Sequence, residues 1–307
     1  MQRIKKRICV IKLDGMGDVL RTTPILWRFK NDDVTWITKN ESMPLLNNNI
    51  LIKTVIPVSE TPGIKNSVFD ELYNFDEDKE ACLAAINIKA EKKKGYGLKN
   101  CSYAPFDSDC EYAYELSRND ELKFRLNKKT YQQVIFEISG FKWMGEDYIL
   151  GYKPKSKIQY QVGINYLVGE KFPNKAWPFW RELSGMLDSV SVQKRFSTLE
   201  EYIEWINSCR VLVTSDSLGM HIALALKKQV IILMGSTSQA EIETYNRGII
   251  LASHLPCSPC YKKDKCSSDP FCMNLISPER VHAEIMKLDT YKPGPETRDA
   301  LLNTETQ

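Results

Sequence analysis

The chain has 307 residues, 43% hydrophobic and 26% charged, which is typical of a soluble globular protein with room for two domains. Its net charge of +3, from 42 basic and 39 acidic residues, does not indicate a nucleic-acid-binding surface. No run reaches the ~20 apolar residues of a membrane span, and the N-terminus lacks the apolar core of a signal peptide. We therefore expect a cytoplasmic protein with at most peripheral contact to the inner face of the membrane.

The N-terminal half opens with a strand and a glycine turn. Residues 7–13 (RICVIKL) predict a buried strand, and residues 19–29 predict a helix. Between them, Gly15 and Gly17 allow a sharp turn and a close approach to a ligand, although the third glycine of the dinucleotide fingerprint is missing. Asp18 would lie at the helix N-terminus, either as a general base or as a simple cap.

Further strands are predicted at 34–38, 54–58 and 71–75, and helices at 76–88, with acidic residues in the first turn, and at 128–141. The lysine-rich residues 89–97 fit a solvated helix end or a contact to an anionic acceptor. A basic, proline-containing stretch at 152–158 predicts a domain boundary. We expect an N-terminal domain at 1–155, a C-terminal domain at 156–290, and a polar tail at 291–307.

The C-terminal half carries a strand, a polar elbow, a helix and a second strand at 211–234 (VLVTSDSLGMHIALALKKQVIILM). The elbow residues Ser215, Asp216 and Ser217 favour a helix N-terminus, whose amides and dipole suit a diphosphate. Thr237 follows the next strand, and Lys175 precedes a predicted helix at 179–187, so both could reach the same edge. The same pattern also fits a capped crossover that binds nothing. Two βα-rich halves suggest two doubly wound domains facing a cleft.

Several segments resemble glycosyltransferase family 9, the heptosyltransferases of lipopolysaccharide core assembly and their relatives. The segments are Gly-Met-Gly-Asp-Val-Leu-Arg-Thr-Thr-Pro from Gly15, Lys-Ala-Trp-Pro from Lys175, Ser-Asp-Ser-Leu-Gly-Met-His from Ser215, and Met-Gly-Ser-Thr from Met234. They occur in the family's order from about residue 8 to 283. The resemblance implies an α/β fold of the GT-B type, with two Rossmann-like domains facing a central cleft.

The resemblance also implies an inverting transfer that needs no catalytic metal or cofactor. It makes Asp18 the base that deprotonates the acceptor, with Gly15, Met16, Gly17 and Lys12 on the acceptor side. The donor, a nucleotide-diphosphate sugar such as ADP-heptose, would contact Lys175, Asp216, Thr237 and the helix start formed by Ser217, Leu218, Gly219, Met220 and His221. The acceptor would be a cell-surface glycan or a lipid-linked saccharide. Gly219 comes one position later than in the family's usual motif.

The cysteines form a second signal. Cys257 and Cys260 are spaced like half of a four-thiolate site, and Cys266 and Cys272 could complete it. Zinc and iron both accept such ligands, and some family relatives hold an iron in a small cysteine finger. A metal there would be structural, since four protein ligands leave no open position, and His254 could replace one of them. Free or partly buried thiols are the alternative.

Other functions stay open from the sequence. The chain could be a nucleotide-sugar epimerase or another nucleotide-linked α/β enzyme, although no Tyr-x-x-x-Lys pair accompanies a nicotinamide fingerprint. It could also be a family member that only binds its ligand. A nucleic-acid binder built on the cysteine segment would need a strongly basic surface, which this composition does not supply.

Overall fold

A computed structural model describes residues 4–169 and 171–288 of the chain. The chain divides into two compact units, the first formed by Met1–Lys153 with Ala240–Glu243 and the second by Pro154–Gln239 with Thr244–Gln307. Each unit is built around a sheet of mostly parallel strands, so the α/β prediction is confirmed. The predicted polar tail at 291–307 lies outside the described residues.

The first unit contains strands β1 to β6 and helices α1 to α5. The strands are β1 Arg7–Ile11, β2 Asp33–Thr38, β3 Thr54–Pro57, β4 Val68–Asn74, β5 Lys89–Lys99 and β6 Ser102–Pro105. The helices are α1 Met16–Thr22, α2 Met43–Leu46, α3 Lys79–Asn87, α4 Glu111–Arg118 and α5 Tyr131–Ile138, with 3-10 turns at Thr23–Phe29, Asn40–Ser42, Val58–Ile64 and Ser108–Cys110 and a π-helical turn at Leu122–Leu126.

The second unit contains strands β7 to β11 and helices α6 to α9. The strands are β7 Tyr160–Asn165, β8 Val190–Val192, β9 Cys209–Ser215, β10 Gln229–Met234 and β11 Gly248–Ala252. The helices are α6 Trp180–Gly185, α7 Leu199–Asn207, α8 Leu218–Ala225 and α9 Pro278–Met286, with 3-10 turns at Pro173–Lys175 and Cys272–Leu275. A further 3-10 turn, Gln239–Glu241, begins at the last residue assigned to the second unit and continues into the segment assigned to the first.

The sheet of the first unit has the order β3-β2-β1-β4-β5-β6, and only β6 pairs in the antiparallel sense. The chain runs outward from β1 through β2 to β3 and then returns to the other side of β1 at β4. The strand order therefore reverses between β1 and β4. In open α/β sheets, ligands bind beyond the carboxyl ends of the strands at such a switch point.

The sheet of the second unit is parallel, with the order β11-β10-β9-β7-β8. Its switch point lies between β7, which ends at Asn165, and β9, which is followed by Asp216 and Ser217. Apolar residues on β7, β9 and β10 form the core with Trp177 and α9. These strands are nearly continuous apolar runs because helices cover both of their faces.

Two local predictions differ from the structure. Helix α1 starts at Met16 rather than at residue 19, and it passes into a 3-10 turn at Thr23 because Pro24 has no amide hydrogen to donate. The lysine-rich residues 89–97 are not a helix end but part of β5. There Lys94 lies between the carboxylates of Asp107 and Asp109, so its charge is compensated inside the unit.

Within 4–169 and 171–288, no helix combines the length and the apolar character needed to cross a bilayer.

Candidate functional site

The switch point of the second unit gathers a lysine, a carboxylate and a hydroxyl. The Lys175 Nζ donates to Asp216 Oδ2 at 2.7 Å and to the Asp216 carbonyl at 3.1 Å. Thr237 Oγ1 donates to the same Oδ2 at 2.8 Å. Both charged side chains keep about a sixth of their surface exposed, 16% for Lys175 and 15% for Asp216. An incoming anion could therefore reach the ammonium without unfolding the site.

A second polar group holds the elbow between β9 and α8. Asn165 Nδ2, at the end of β7, donates to Thr214 Oγ1 at 2.8 Å and to Ser217 Oγ at 3.1 Å, and its Oδ1 accepts from the Tyr202 hydroxyl. A Cβ on Gly219 would lie 2.3 Å from that hydroxyl and 2.8 Å from Asn165 Nδ2. A Cβ at position 219 would overlap with Tyr202 and Asn165, so only glycine fits there. These two side chains explain why the glycine stands at position 219, one residue later than in the family's usual motif.

The predicted diphosphate cradle is the start of α8. Ser217 occupies the N-cap position with an extended backbone, but its hydroxyl makes no capping hydrogen bond and contacts Thr214 and Asn165 instead. The first amide to bond within the helix is that of His221, to the Ser217 carbonyl. The amides of Leu218, Gly219 and Met220 precede it and are the donors that a helix N-terminus presents to an anion. The side chains of Met220 and His221 are buried.

Hydrogen bonds to the backbone of Lys175 and to the adjacent Asn174 hold this segment in place. Ser215 Oγ donates to the Lys175 carbonyl at 2.6 Å. The adjacent Asn174, which is 3% exposed, donates to the carbonyls of Lys262 and Asp264 and accepts from the amide of Cys266. The segment that carries the cysteines thus supports the backbone next to Lys175.

The carboxylate predicted as the general base lies on α1 of the first unit. The N-cap of α1 is Gly15, not Asp18, so Asp18 is in the first turn and does not act as the cap. Arg21 Nε approaches Asp18 Oδ1 at 2.9 Å, and 39% of the Asp18 side chain is exposed. The guanidinium of Arg21 also stacks on the Tyr131 ring at 3.7 Å. The geometry leaves Asp18 oriented by a cation and accessible to a second molecule.

Lys12 does not lie on an open surface. It is 5% exposed, and its ammonium forms an ion pair with the equally buried Asp76. Burial by itself would lower the pKa of Lys12, but Asp76, Tyr131 and Asp18 outweigh it and hold that pKa above its ordinary value. Lys12 therefore stays charged at neutral pH, with its charge compensated from within the unit.

The metal prediction for Cys257, Cys260, Cys266 and Cys272 is not supported. Burial, and then the charges of the other three thiols, raise the pKa of Cys272, so the four lie in one region. Within 4–169 and 171–288, however, no three cysteine, histidine or acidic side chains come together as a metal-binding group. Cys272 belongs to the core of the second unit and lies under Gly235, whereas Cys257 is exposed. The spacing along the chain did not reveal this difference in burial.

Four residues of these clusters were missed by the sequence reasoning. They are Asn165 and Tyr202 in the second unit and Arg21 and Asp76 in the first. For Arg21 a signal existed, because residues three apart on a helix are neighbours. Asp76 was assigned to the first turn of the helix at 76–88, but the structure starts that helix at Lys79 and leaves Asp76 between β4 and α3. Asn165 is the last residue of β7, a position that becomes informative once the strand order is known.

Comparison with known proteins connects one segment of the chain with a described family. The model of Glycosyltransferase family 9 (heptosyltransferase) matches residues 196–270. Among curated proteins, the lipopolysaccharide core heptosyltransferase OpsX of Haemophilus influenzae is 29% identical over 108 residues, 31% of this chain and 31% of that protein. The aligned region thus spans about a third of the length of the curated relatives that the chain matches.

Two solved structures share the fold over nearly the whole chain. The glycosyl transferase family 9 structure from Veillonella parvula has a TM-score of 0.65 at 15% identity, covering 94% of this chain and 99% of that one. E. coli heptosyltransferase WaaC with ADP has a TM-score of 0.64 at 14% identity, covering 92% and 99%. The expected GT-B class with two Rossmann-like domains is thereby confirmed. Over residues 196–270 the sequence is similar to Glycosyltransferase family 9 (heptosyltransferase).

Proposed function

We propose that this protein is an inverting glycosyltransferase that moves a heptose or related sugar from a nucleoside-diphosphate donor to a cell-surface glycan or lipopolysaccharide-core-type acceptor. The observation that carries the proposal is the group at the switch point of the second unit, where Lys175, Thr237 and the start of α8 converge on one place. A cation, a hydroxyl and the N-terminal amides of a helix are complementary to a diphosphate. OpsX and WaaC, by their names, are heptosyltransferases, which supports the choice of sugar.

In this proposal the second unit stabilises the leaving group. As the bond between sugar and diphosphate breaks, negative charge grows on the diphosphate. The Lys175 ammonium would turn from Asp216 toward that charge, and the α8 amides would donate to it. Asp216 and Thr237 keep Lys175 in place before the donor arrives. No metal is needed for this step, because fixed protein charges and dipoles supply the stabilisation.

The first unit would supply the base. Asp18 has an exposed carboxylate, and Arg21 fixes its orientation. It would take the proton of the acceptor hydroxyl while that oxygen attacks the sugar from the face opposite the diphosphate. The assignment of Lys12 changes: it cannot contact an acceptor directly, because it is buried against Asp76.

Donor binding is tested by calorimetry with ADP, UDP and GDP and with ADP-heptose. Lys175→Met should weaken binding of the preferred diphosphate by at least ~10-fold, since a charge-assisted contact contributes roughly 1.5–3 kcal/mol. Lys171→Met is the matched control, because Lys171 is an exposed lysine four residues earlier in the same loop. Equal affinities of the two variants would exclude Lys175 from the donor site.

Transfer is tested by following ADP release from ADP-heptose in the presence of heptose-deficient lipopolysaccharide core. Asp18→Asn should keep donor affinity and lose acceptor-dependent release by ~100-fold or more. Asp14→Asn, which alters a carboxylate four residues away that pairs with Lys39, should stay active. A fully active Asp18→Asn variant rules out the base. Donor binding without release in the wild type would instead support a family member that only binds.

A further inference from the structure

The first unit contains a buried carboxylate for which the proposed chemistry has no use. Asp76 follows β4 at the switch point and is 5% exposed. It accepts from the Lys12 ammonium, from the amide of Leu13, and from the amide of Asp14 at 3.3 Å. All three donors belong to the stretch that leaves β1. One carboxylate therefore fixes the backbone that enters the glycine turn.

Asp76 is itself held in place by the end of its own strand. Asn74, which is fully buried, donates from Nδ2 to the Asp76 carbonyl at 3.0 Å and accepts from the Asp76 amide at 3.1 Å. The same Nδ2 donates to the Tyr96 carbonyl on β5 at 2.7 Å. The backbone of Asp76 is thus anchored through Asn74 to the ends of β4 and β5, and this anchorage fixes the point from which the Asp76 carboxylate extends.

The backbone that Asp76 holds is the backbone against which Asp18 rests. Gly15 has φ +71°, and a Cβ at Gly15 would lie 2.9 Å from Asp18 Oδ2. The Asp18 carboxylate therefore packs directly on the bare α-carbon of Gly15. Asp76 accepts hydrogen bonds from the amides of Leu13 and Asp14, and Gly15 is the next residue along the chain. A shift of the Asp76 carboxylate would therefore displace Gly15 and, with it, the Asp18 carboxylate.

A second link is electrostatic. Charged and titratable groups that face Asp18 include Arg21 on its own helix, Lys12 at the end of β1 and Tyr131 at the start of α5. Lys12 carries a buried positive charge that acts on Asp18, and Asp76 compensates it. Without that compensation the Asp18 carboxylate would experience a stronger positive field and would be a weaker base.

We propose that Asp76 is a positioning residue for Asp18: it holds the Leu13–Gly15 turn under the Asp18 carboxylate and compensates the Lys12 ammonium beside it. The reaction of Asp18 with an acceptor rests on the proposed function, whereas the contacts that tie Asp76 and Lys12 to Asp18 all lie within the first unit.

The test is a carboxyl-carbon NMR titration of protein labelled with ¹³C-aspartate, with the Asp18 signal assigned by its loss in Asp18→Asn. Asp76→Asn should lower the titration midpoint of Asp18 by about half a pH unit or more, since it leaves a nearby positive charge uncompensated. Lys12→Met should raise the midpoint, since it removes that charge. The double variant should return close to the wild-type midpoint. Asp33→Asn, which opens an exposed ion pair with Lys53, should leave it unchanged.

A purely structural ion pair would behave differently. It would change stability in the single variants while the Asp18 midpoint stayed at the wild-type value in every folded variant, and that result overturns the proposal. If Asp76→Asn does not fold, the comparison between wild type, Lys12→Met and the double variant decides, because removing both charges leaves no unpaired buried ion. A midpoint that does not rise in Lys12→Met would then overturn the proposal.

A turnover measurement adds a second readout. With ADP-heptose and heptose-deficient core, Asp76→Asn should lower kcat by at least ~10-fold while the affinity for ADP stays at the wild-type value, because a displaced carboxylate affects the reaction and not the donor site. Unchanged kcat in a folded Asp76→Asn variant contradicts the positioning role. Absence of transfer in the wild-type protein refutes the proposed function but leaves the NMR titration as a complete test of Asp76.

Discussion

Substitution of Gly15 by alanine tests whether the turn after β1 places the Asp18 carboxylate. The glycine has φ +71°, where a side chain costs about 1–2 kcal/mol. The new Cβ would also lie 2.9 Å from Asp18 Oδ2, closer than a methyl group and an oxygen can approach, so the carboxylate must move away. That movement disturbs the 2.9 Å contact between Asp18 and Arg21, a partly buried pair three residues apart on the helix that contributes roughly half a kcal/mol.

The expected loss in the free energy of unfolding for Gly15→Ala is therefore about 2 kcal/mol, measured by urea denaturation. The effect on transfer should be larger, because a catalytic group displaced by about 1 Å can lower the rate by roughly 100-fold. Donor affinity should not change, since the donor contacts proposed here belong to the second unit. Calorimetry with ADP and the ADP-release assay measure the two effects separately.

Two other glycines of the first unit separate strain from displacement. Gly145 has φ +94° but nothing within 4 Å of its Cβ position, so Gly145→Ala adds strain alone. Gly63 has neither a positive φ nor a neighbour within 4 Å, so Gly63→Ala should be neutral or slightly stabilising. If Gly15→Ala loses no more stability than Gly145→Ala and transfers at the wild-type rate, the turn does not place Asp18.

Two further predictions concern packing and pH. Gly219→Ala should destabilise the protein by about 1–3 kcal/mol and weaken ADP binding, because the methyl group would displace the Tyr202 hydroxyl; Tyr202→Phe in the same chain should recover part of the loss, as urea denaturation and calorimetry would show. Burial raises the pKa of Glu71, but the hydrogen bonds from Lys6 and Tyr73 outweigh it and hold the pKa below its ordinary value. Its contribution to stability is thus present above the unfolded pKa and is lost as the pH falls below about 4.5. The unfolding free energy of wild type should fall more steeply than that of Glu71→Gln between about pH 5 and 3, and parallel curves would contradict this assignment.

Local sequence patterns were sufficient for the strands around both switch points. β1, β9 and β10 are short apolar runs bounded by polar or glycine-containing turns, so their burial is encoded within a few residues. β5 could not be found in this way. Its lysines are placed in a strand because β5 pairs with β4 and because the carboxylates of Asp107 and Asp109 lie opposite Lys94. These partners are tertiary, so the local pattern indicated a solvated helix end.

The residues of the candidate sites divide in a similar way. Asp18, Lys175 and Asp216 could be selected as site residues from the sequence because each lies in a motif to which a function can be assigned. Their supports could not, because Asp76 lies 64 residues from Lys12 and Asn165 lies 52 residues from Ser217. Only the strand order brings such pairs together. The cysteine prediction failed for a related reason, since spacing does not show that Cys272 faces the core while Cys257 is exposed.

Both switch points contain an ion pair between a lysine and an aspartate. The two ion pairs differ in how deeply they are buried, and this difference suits them to different roles. The Lys12–Asp76 pair is sealed, with 6% of each side chain exposed, and each polar group of Asp76 already has a partner. A ligand that bound the Lys12 ammonium would break its ion pair with Asp76. Asp76 would then be an unpaired buried charge, which is strongly unfavourable. The Lys175–Asp216 pair is partly open, and Thr237 can keep satisfying Asp216 if Lys175 turns away. The same pair of residue types therefore suits a fixed support in the first unit and a releasable anion-binding cation in the second.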